Sequence, residues 1–286
     1  MIKNIVFDIG NVMVGFDWKQ FIEKFGWSDE VSAKIANATV HAKTWHEIDR
    51  GVMTEDEVLE AFIANDPSVE SELRAFYEDF SGMLNQFEYA KGWIIDLKRR
   101  GFKVYCLSNM SFKAVRECAD ALDFLPMLDC YILSCNEGLI KPQKEIYQLF
   151  FERFNLKPEE CLFFDDLERN VNAARDNGMN AEIFTDVKSA EASISEYVKK
   201  DAANGALASK YTKGQRIAAL ICIAIIVLLY LATLVFAIIK ADWAKVCLRI
   251  GLGCTLVLPI LTWVYIWMIG KLTKKKTIAD FNFFEK

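Results

Sequence analysis

Histidine is nearly missing from this chain: His41 and His46 are the only two in 286 residues. Eight cysteines are present (Cys106, Cys118, Cys130, Cys135, Cys161, Cys222, Cys247 and Cys254), but none forms a CxxC pair and several lie inside apolar runs. These absences exclude a Cys/His metal site, and in a reducing compartment such thiols behave as small hydrophobes. Also lacking is a basic stripe with interleaved aromatics. Residues 1–200 hold 23 Lys and Arg against 35 Asp and Glu, a net charge of −12. An acidic body of this kind repels phosphate backbones, so nucleic acid is not expected as a partner. No internal repeat or low-complexity tract is visible. A signal peptide is not expected either, because Met1 leads straight into a strand-like run that ends in Asp8.

Charge itself is missing from two long stretches, Ile217 to Ile239 and Ile250 to Gly270. At a rise of about 1.5 Å per residue, each can cross a hydrocarbon layer of about 30 Å. One such stretch alone is often a buried core helix, but two in tandem with basic flanks predict a membrane hairpin. Lys199, Lys200, Lys210, Lys213 and Arg216 precede the first, and Lys271, Lys274, Lys275 and Lys276 follow the second. The connection carries only Lys240, Lys245 and Arg249, partly offset by Asp242, so both termini are expected in the cytoplasm together with the N-terminal body. Uncharged spans offer no ion pathway. An anchor in the lipid bilayer is the expectation, with a protein partner in the membrane as a second role, and the basic tail near anionic headgroups.

What remains is an α/β pattern. Residues 1–15 and 89–198 alternate short apolar strands with amphipathic helices, which predicts a Rossmann-like parallel sheet with helices on both faces. Residues 16–88 read as an inserted, entirely helical cap: Trp18 to Phe25, then Glu30 to Asp49 stopped by Gly51, a third helix opened by a Thr54 to Glu57 capping box, and a fourth after Asp66-Pro67. Residues 199–215 are rich in small residues and read as a linker. Residues 216–286 form the two-helix transmembrane hairpin with its tail.

Four polar interruptions close apolar runs in the first part: Asp8, Ser108-Asn109, Lys141-Pro142 and Asp165-Asp166. Such runs read as buried parallel strands, whose carboxyl ends gather at one edge of an open sheet and form a site there. Each group also has a plainer role available: a turn residue, a helix cap, a solvated lysine, a pair of caps. Together they bring one carboxylate able to attack phosphorus or carbon, one hydroxyl, one ammonium and one acidic pair to a single edge. Asp8, Asp165 and Asp166 carry three negative charges and Lys141 removes one, leaving a deficit that a divalent, oxygen-preferring ion such as Mg²⁺ matches. Ser108 and neighbouring amides could hold phosphoryl oxygens, and Lys141 could neutralise both nucleophile and phosphate.

In order and spacing, Phe7-Asp8-Ile9-Gly10-Asn11-Val12, Leu107-Ser108-Asn109, Gly138-Leu139-Ile140-Lys141-Pro142 and Phe164-Asp165-Asp166 with Asn170-Val171 resemble the haloacid dehalogenase superfamily, in its phosphatase-like branch with a helical cap. The resemblance spans residues 1 to about 198. It implies Asp8 as the nucleophile forming an aspartyl-phosphate, Mg²⁺ held by Asp8, the Gly10 carbonyl and Asp166 with Asp165 in support, and the phosphoryl group contacted by Ser108, Asn109 and Lys141. The substrate is then a small phosphorylated metabolite, a sugar phosphate being one option. A catalytically weak module that binds a phospho-ligand or a membrane partner is the alternative, and a dehalogenase-type hydrolase, which needs no metal, is a lesser one. One position departs from the pattern. Gly10 stands where most such phosphatases have a second Asp, the acid for the leaving group, and that assistance is worth about 10²- to 10⁴-fold. Substrates whose leaving group needs little protonation are therefore expected, with Asp17 as a stand-in acid only if a flap covers the site. His46 and Trp45, on the cap, are read mainly as ordinary cap residues, with Trp18 and Trp27 packing the cap as well.

Overall fold

The computed structural model describes residues 1–210 and scattered residues between Leu220 and Val246. The chain divides into two compact units, residues 1–204 and 205–286. Both uncharged stretches of the expected hairpin lie largely or wholly outside the described residues. Among the described residues no helix is long and apolar enough to cross a membrane.

Five parallel strands form the sheet of the first unit: β1 (Asn4–Phe7), β4 (Lys103–Ser108), β5 (Cys130–Leu133), β6 (Cys161–Asp165) and β7 (Asn180–Ile183), in the order β5-β4-β1-β6-β7. The inner strands are almost unbroken apolar runs because both faces are covered, as parallel sheets require. On one face, Ile5, Phe7, Cys106 and Phe164 join a core with Trp93, Ile94 and Leu97 of α6 (Tyr89–Arg99) and Ile194 of α10 (Val187–Lys210). On the other, Val6, Tyr105, Leu107 and Phe163 meet Tyr147 and Phe150 of α8 (Lys144–Phe154) and Val171 of α9 (Glu168–Asp176). The short α7 (Phe112–Glu117) follows β4. Phe7 is in register with Cys106 on one side and Phe164 on the other, so Asp8 comes level with Leu107 and Asp165 at the carboxyl edge of the central strand.

Between β1 and α6 the chain leaves the sheet and returns. Its helices are α1 (Trp18–Glu23), α2 (Asp29–Ala38), α3 (Lys43–Arg50), α4 (Glu55–Asn65) and α5 (Glu70–Glu78). Ser28 caps α2, and Thr54 and Glu57 form the expected reciprocal capping box on α4. Buried Phe21, Phe62, Phe76 and Phe80 fill the space among them.

Four sequence expectations change. The insert is not entirely helical: β2 (Val14–Phe16) and β3 (Leu84–Gln86) pair antiparallel where the chain departs and re-enters. The single helix expected from Glu30 to Asp49 is two. Thr39 leaves helical geometry at φ −118° and ψ −92°, and its hydroxyl donates back to the Ile35 carbonyl at 2.6 Å, a local bond that competes with helix continuation. The run before Lys141 is not a strand. Residues 137–140 follow the 3-10 turn Ser134–Asn136 as an irregular loop. Finally, the segment read as an irregular linker is helical as far as Lys210, as the end of α10.

The end of α3 is docked on that loop. Ser134 Oγ accepts from the Met110 amide at 2.9 Å and donates to the Asp49 carbonyl. Arg50 Nη1 donates to Gln143 Oε1 at 2.9 Å. Gly51, at φ +75°, lies so close to the Cys135 backbone that an added Cβ would overlap its carbonyl. Gly51→Ala therefore combines a left-handed conformation costing about 1–2 kcal/mol with a backbone clash. The expected result is a melting temperature at least about 3 °C lower, read by thermal unfolding of the full chain.

Candidate active site

Asp8 directly follows β1 and is 7% exposed. Its Oδ1 accepts from the Ile9 amide at 2.7 Å and from Lys141 Nζ at 2.8 Å. Lys141 reaches this position from its loop because Asn109, after β4, clasps its backbone: the Lys141 amide donates to Asn109 Oδ1 at 2.7 Å, and Asn109 Nδ2 donates to the Lys141 carbonyl at 2.9 Å. The same ammonium lies 2.6 Å from Asp165 Oδ2. Asp165 is fully occupied, since Asn170 Nδ2 donates to both its oxygens at 2.9 and 3.1 Å and the Leu167 amide adds a third donor at 2.9 Å. Asp166 is half-buried, and Asn11 Nδ2 donates to its Oδ2 at 2.9 Å. Ser108 is buried at the end of β4, and its Oγ donates to the Asn109 carbonyl at 3.4 Å. The plainer role of helix cap belongs to Ser111 instead, which accepts from the Ala114 amide at 3.1 Å.

Among the described residues, Asp8, Asp165 and Asp166 form a cluster whose oxygens lie within 4.8 Å of one another. Burial pushes the Asp8 carboxyl well above its usual range; Lys141 and Ser108 oppose the rise, and the charge of Asp165 adds to it. Burial alone would lower the Lys141 ammonium, but Asp165 and Asp8 outweigh it and hold the group charged. Asp166 is also raised by burial, with the Asn11 bond working against the shift. One lysine thus serves two buried carboxylates, and a third, half-buried one beside them has no ion pair among the described residues.

That donor set fits Mg²⁺, a hard ion that takes oxygen ligands. Asp8 and Asp166 each keep one carboxylate oxygen without a protein partner among the described residues, whereas Asp165 keeps none. Asn170 Oδ1 is buried with no hydrogen-bond partner among the described residues, and Asn170 and Gly10 both line the cavity.

The cavity has a volume of about 280 Å³ and is partly roofed by the insert, whose Phe16, Trp45, His46 and Asp49 line it together with Asp8 and Lys141. Trp45 also packs against Phe80 and Phe62, so it both builds the insert and walls the site. Asp17 does not line the cavity, and its side chain caps no helix. The position that sequence reasoning passed over is Asp49. Its carboxyl is pushed up to about 7, mainly by burial and then by the charge of Asp8, with Lys141 opposing. It forms no side-chain hydrogen bond or ion pair among the described residues. A signal existed: an acidic residue in the last turn before a Gly-terminated helix end opposes the helix dipole, so Asp49 was anomalous before any coordinates.

A parallel sheet with a carboxylate at the edge of its central strand, a lysine and acidic pair around it, and a mostly helical insert overhead is the frame of a capped hydrolase. The chain belongs to the haloacid dehalogenase-like hydrolases, whose family model matches residues 2–178. Among its relatives, the sesquiterpene phosphatase astK of Aspergillus oryzae is 27% identical over 187 residues, covering 64% of this chain and 90% of that one. The D-ribitol-5-phosphate phosphatase of Bacteroides thetaiotaomicron is 27% identical over 194 residues, covering 62% and 89%. A predicted HAD-like hydrolase of Porphyromonas gingivalis shares the fold at a TM-score of 0.51 and 22% identity, covering 69% and 98%. So does the HAD family enzyme bt-2542 of Bacteroides thetaiotaomicron, solved with magnesium and inorganic phosphate, at 0.50 and 21%, covering 65% and 95%.

Two outcomes follow. Lys141→Ala strands two buried carboxylates, and the expected loss of about 3–5 kcal/mol is measured by urea unfolding of metal-free protein. For Asp49, a folded-state pKa above the unfolded value gives stability that is present at acid pH and lost as pH rises from about 4 through about 7. Asp49→Asn should flatten that decline in melting temperature relative to wild type.

Proposed function

We propose that this enzyme is a Mg²⁺-dependent phosphatase that hydrolyses a small phosphorylated metabolite through an aspartyl-phosphate on Asp8. The observation that carries the reading is Lys141 bridging Asp8 and Asp165 with Asp166 alongside. The arrangement leaves one Asp8 oxygen free to attack and leaves an anionic surplus that only a cation balances. A dehalogenase needs no such surplus, which disfavours carbon–halogen chemistry.

Each residue has a part. Asp8 attacks phosphorus with its free oxygen while Lys141 holds the other oxygen and offsets charge on the phosphoryl group. Asp165, Asn109 and Asn170 keep Lys141 in place, and Asn11 orients Asp166. Ser108 supports the charged form of Asp8. Asp166, the Gly10 carbonyl and Asp8, through the oxygen that does not attack, would hold Mg²⁺, which would supply charge neutralisation for phosphoryl oxygens. Phosphoryl transfer depends mainly on such positioning and electrostatics. On the insert side the cavity is walled by Phe16, Val40, Trp45, Met83 and Leu84. This apolar wall favours a leaving group with a hydrocarbon face, as in a prenyl phosphate, over the fully polar sugar phosphate that the sequence first suggested. The relatives named for sesquiterpene and ribitol 5-phosphate substrates span both kinds.

The same proposal places the enzyme on a membrane, facing the cytoplasm, through the uncharged stretches after residue 216. Support comes from their length and basic flanks. Described residues Leu220, Ile221, Leu228, Leu231 and Leu234 are also helical and exposed, as lipid-facing residues are.

Full-length protein in detergent, given prenyl, hexose and pentitol phosphates, should release phosphate with Mg²⁺ and stop with a chelator. Asp8→Asn should lower kcat by on the order of 10⁴-fold or more. Absence of turnover across the panel would favour a binding module. The anchor is checked by fractionation: wild type should stay with membranes through a high-salt wash, and protein ending at residue 210 should not.

A further inference from the structure

An alkyl phosphate cannot expel its alcohol without a proton, and Gly10, two residues after Asp8, has no side chain to give one. Room is not the reason. A Cβ built on Gly10 meets nothing within 4 Å, and its φ lies outside the left-handed region. The titratable groups around the cavity are Asp8, Asp166, Lys141, Arg169, His46 and Asp49. Asp8 and Asp166 belong to the nucleophile and ion site, Lys141 is held by two carboxylates, and arginine keeps its proton. His46 is exposed on α3. Asp49 alone combines a half-buried position in the cavity wall, a side chain without partners among the described residues, and a backbone fixed to the core.

We infer that Asp49, on the cap, is the general acid and base of this enzyme, taking the part that Gly10 leaves empty. The inference rests on the phosphatase reading above. In the first step the free Asp8 oxygen bonds to phosphorus, the bond from phosphorus to the ester oxygen breaks, and that oxygen takes the proton of Asp49. In the second, a water oxygen bonds to phosphorus as the Asp8 to phosphorus bond breaks, and the water proton passes to the Asp49 carboxylate. The product is alcohol plus inorganic phosphate, and Asp49 regains its starting form. Burial by the docked cap keeps part of the Asp49 population protonated near neutral pH, the form required for the first step. Three contacts hold it there: Ser134 to the Asp49 carbonyl, Arg50 to Gln143, and Gly51 against Cys135. Because these link the cap to the loop carrying Lys141, proton donor and phosphate clamp assemble together when the cap is docked.

The test compares an alkyl phosphate with p-nitrophenyl phosphate in full-length wild type, Asp49→Asn, His46→Gln and Asp49→Asn/Gly10→Asp, each checked for folding by melting temperature. Asp49→Asn should lose about 10²- to 10⁴-fold in kcat/KM on the alkyl phosphate. It should keep a near-normal burst of p-nitrophenol and accumulate protein heavier by one phosphoryl group, seen by intact mass. Adding Gly10→Asp should restore alkyl phosphate turnover at least tenfold while leaving the aryl burst unchanged, a selective rescue of leaving-group protonation. The assignment falls if Asp49→Asn hydrolyses the alkyl phosphate within about threefold of wild type, if the aryl burst is lost equally, if the second substitution rescues nothing, or if His46→Gln shows the selective loss. A silent wild type would instead remove the phosphatase reading, and this inference with it.

Discussion

One ammonium shared by two buried carboxylates governs this molecule. Lys141 lies within 2.8 Å of Asp8 and 2.6 Å of Asp165, at a strand edge where water cannot do its work. Burying charge without compensation is expensive, so the surrounding residues read as a set that makes the arrangement tolerable. Asn109 fixes the lysine backbone, Asn170 and the Leu167 amide fill Asp165, and the Ile9 amide takes part of Asp8. The remaining negative charge is the functional residue of that balance: it defines both a nucleophile and an appetite for a divalent ion.

Much of this was legible in the chain, for a physical reason. Parallel strands buried on both faces must be apolar throughout, so the polar residue that ends each one stands out. Asp8, Ser108 and Asp165 were found that way, and β1, β4 and β6 came with them. Lys141 was found too, but for a partly wrong reason, since the run before it is loop and not strand; its motif marked the residue while the Asn109 clasp, invisible in sequence, supplies the position. Asn11 and Asn170 were visible as letters without roles. A side-chain amide announces nothing until its partner is known.

The cap was less readable. Helical periodicity and the Thr54 capping box were plain, yet the β2–β3 ribbon was missed, because three-residue strands carry too little alternation to register. The break at Thr39 was missed because one back-bonded hydroxyl decides it. Asp49 was missed because its one local signal, an acid in the last turn of a helix, is weak, and the docked helix end that makes it notable is not a property of nearby sequence. Acidic Asp17, closer in the chain to Asp8, was the more obvious candidate and lies outside the cavity. Proximity along the chain is a poor guide once an insert folds back over the sheet.

The ribbon has a mechanical meaning of its own. Val14–Phe16 and Leu84–Gln86 are hydrogen-bonded to each other, and the Phe87 amide donates to the Met13 carbonyl at 3.1 Å just beyond them. Outgoing and returning chain are therefore laced into one stem, and neither can slide or twist without tearing backbone hydrogen bonds from its mate. Trp45 and Asp49 share the one short helix α3 beyond that stem, so the aromatic wall and the acid hold a fixed spacing to each other.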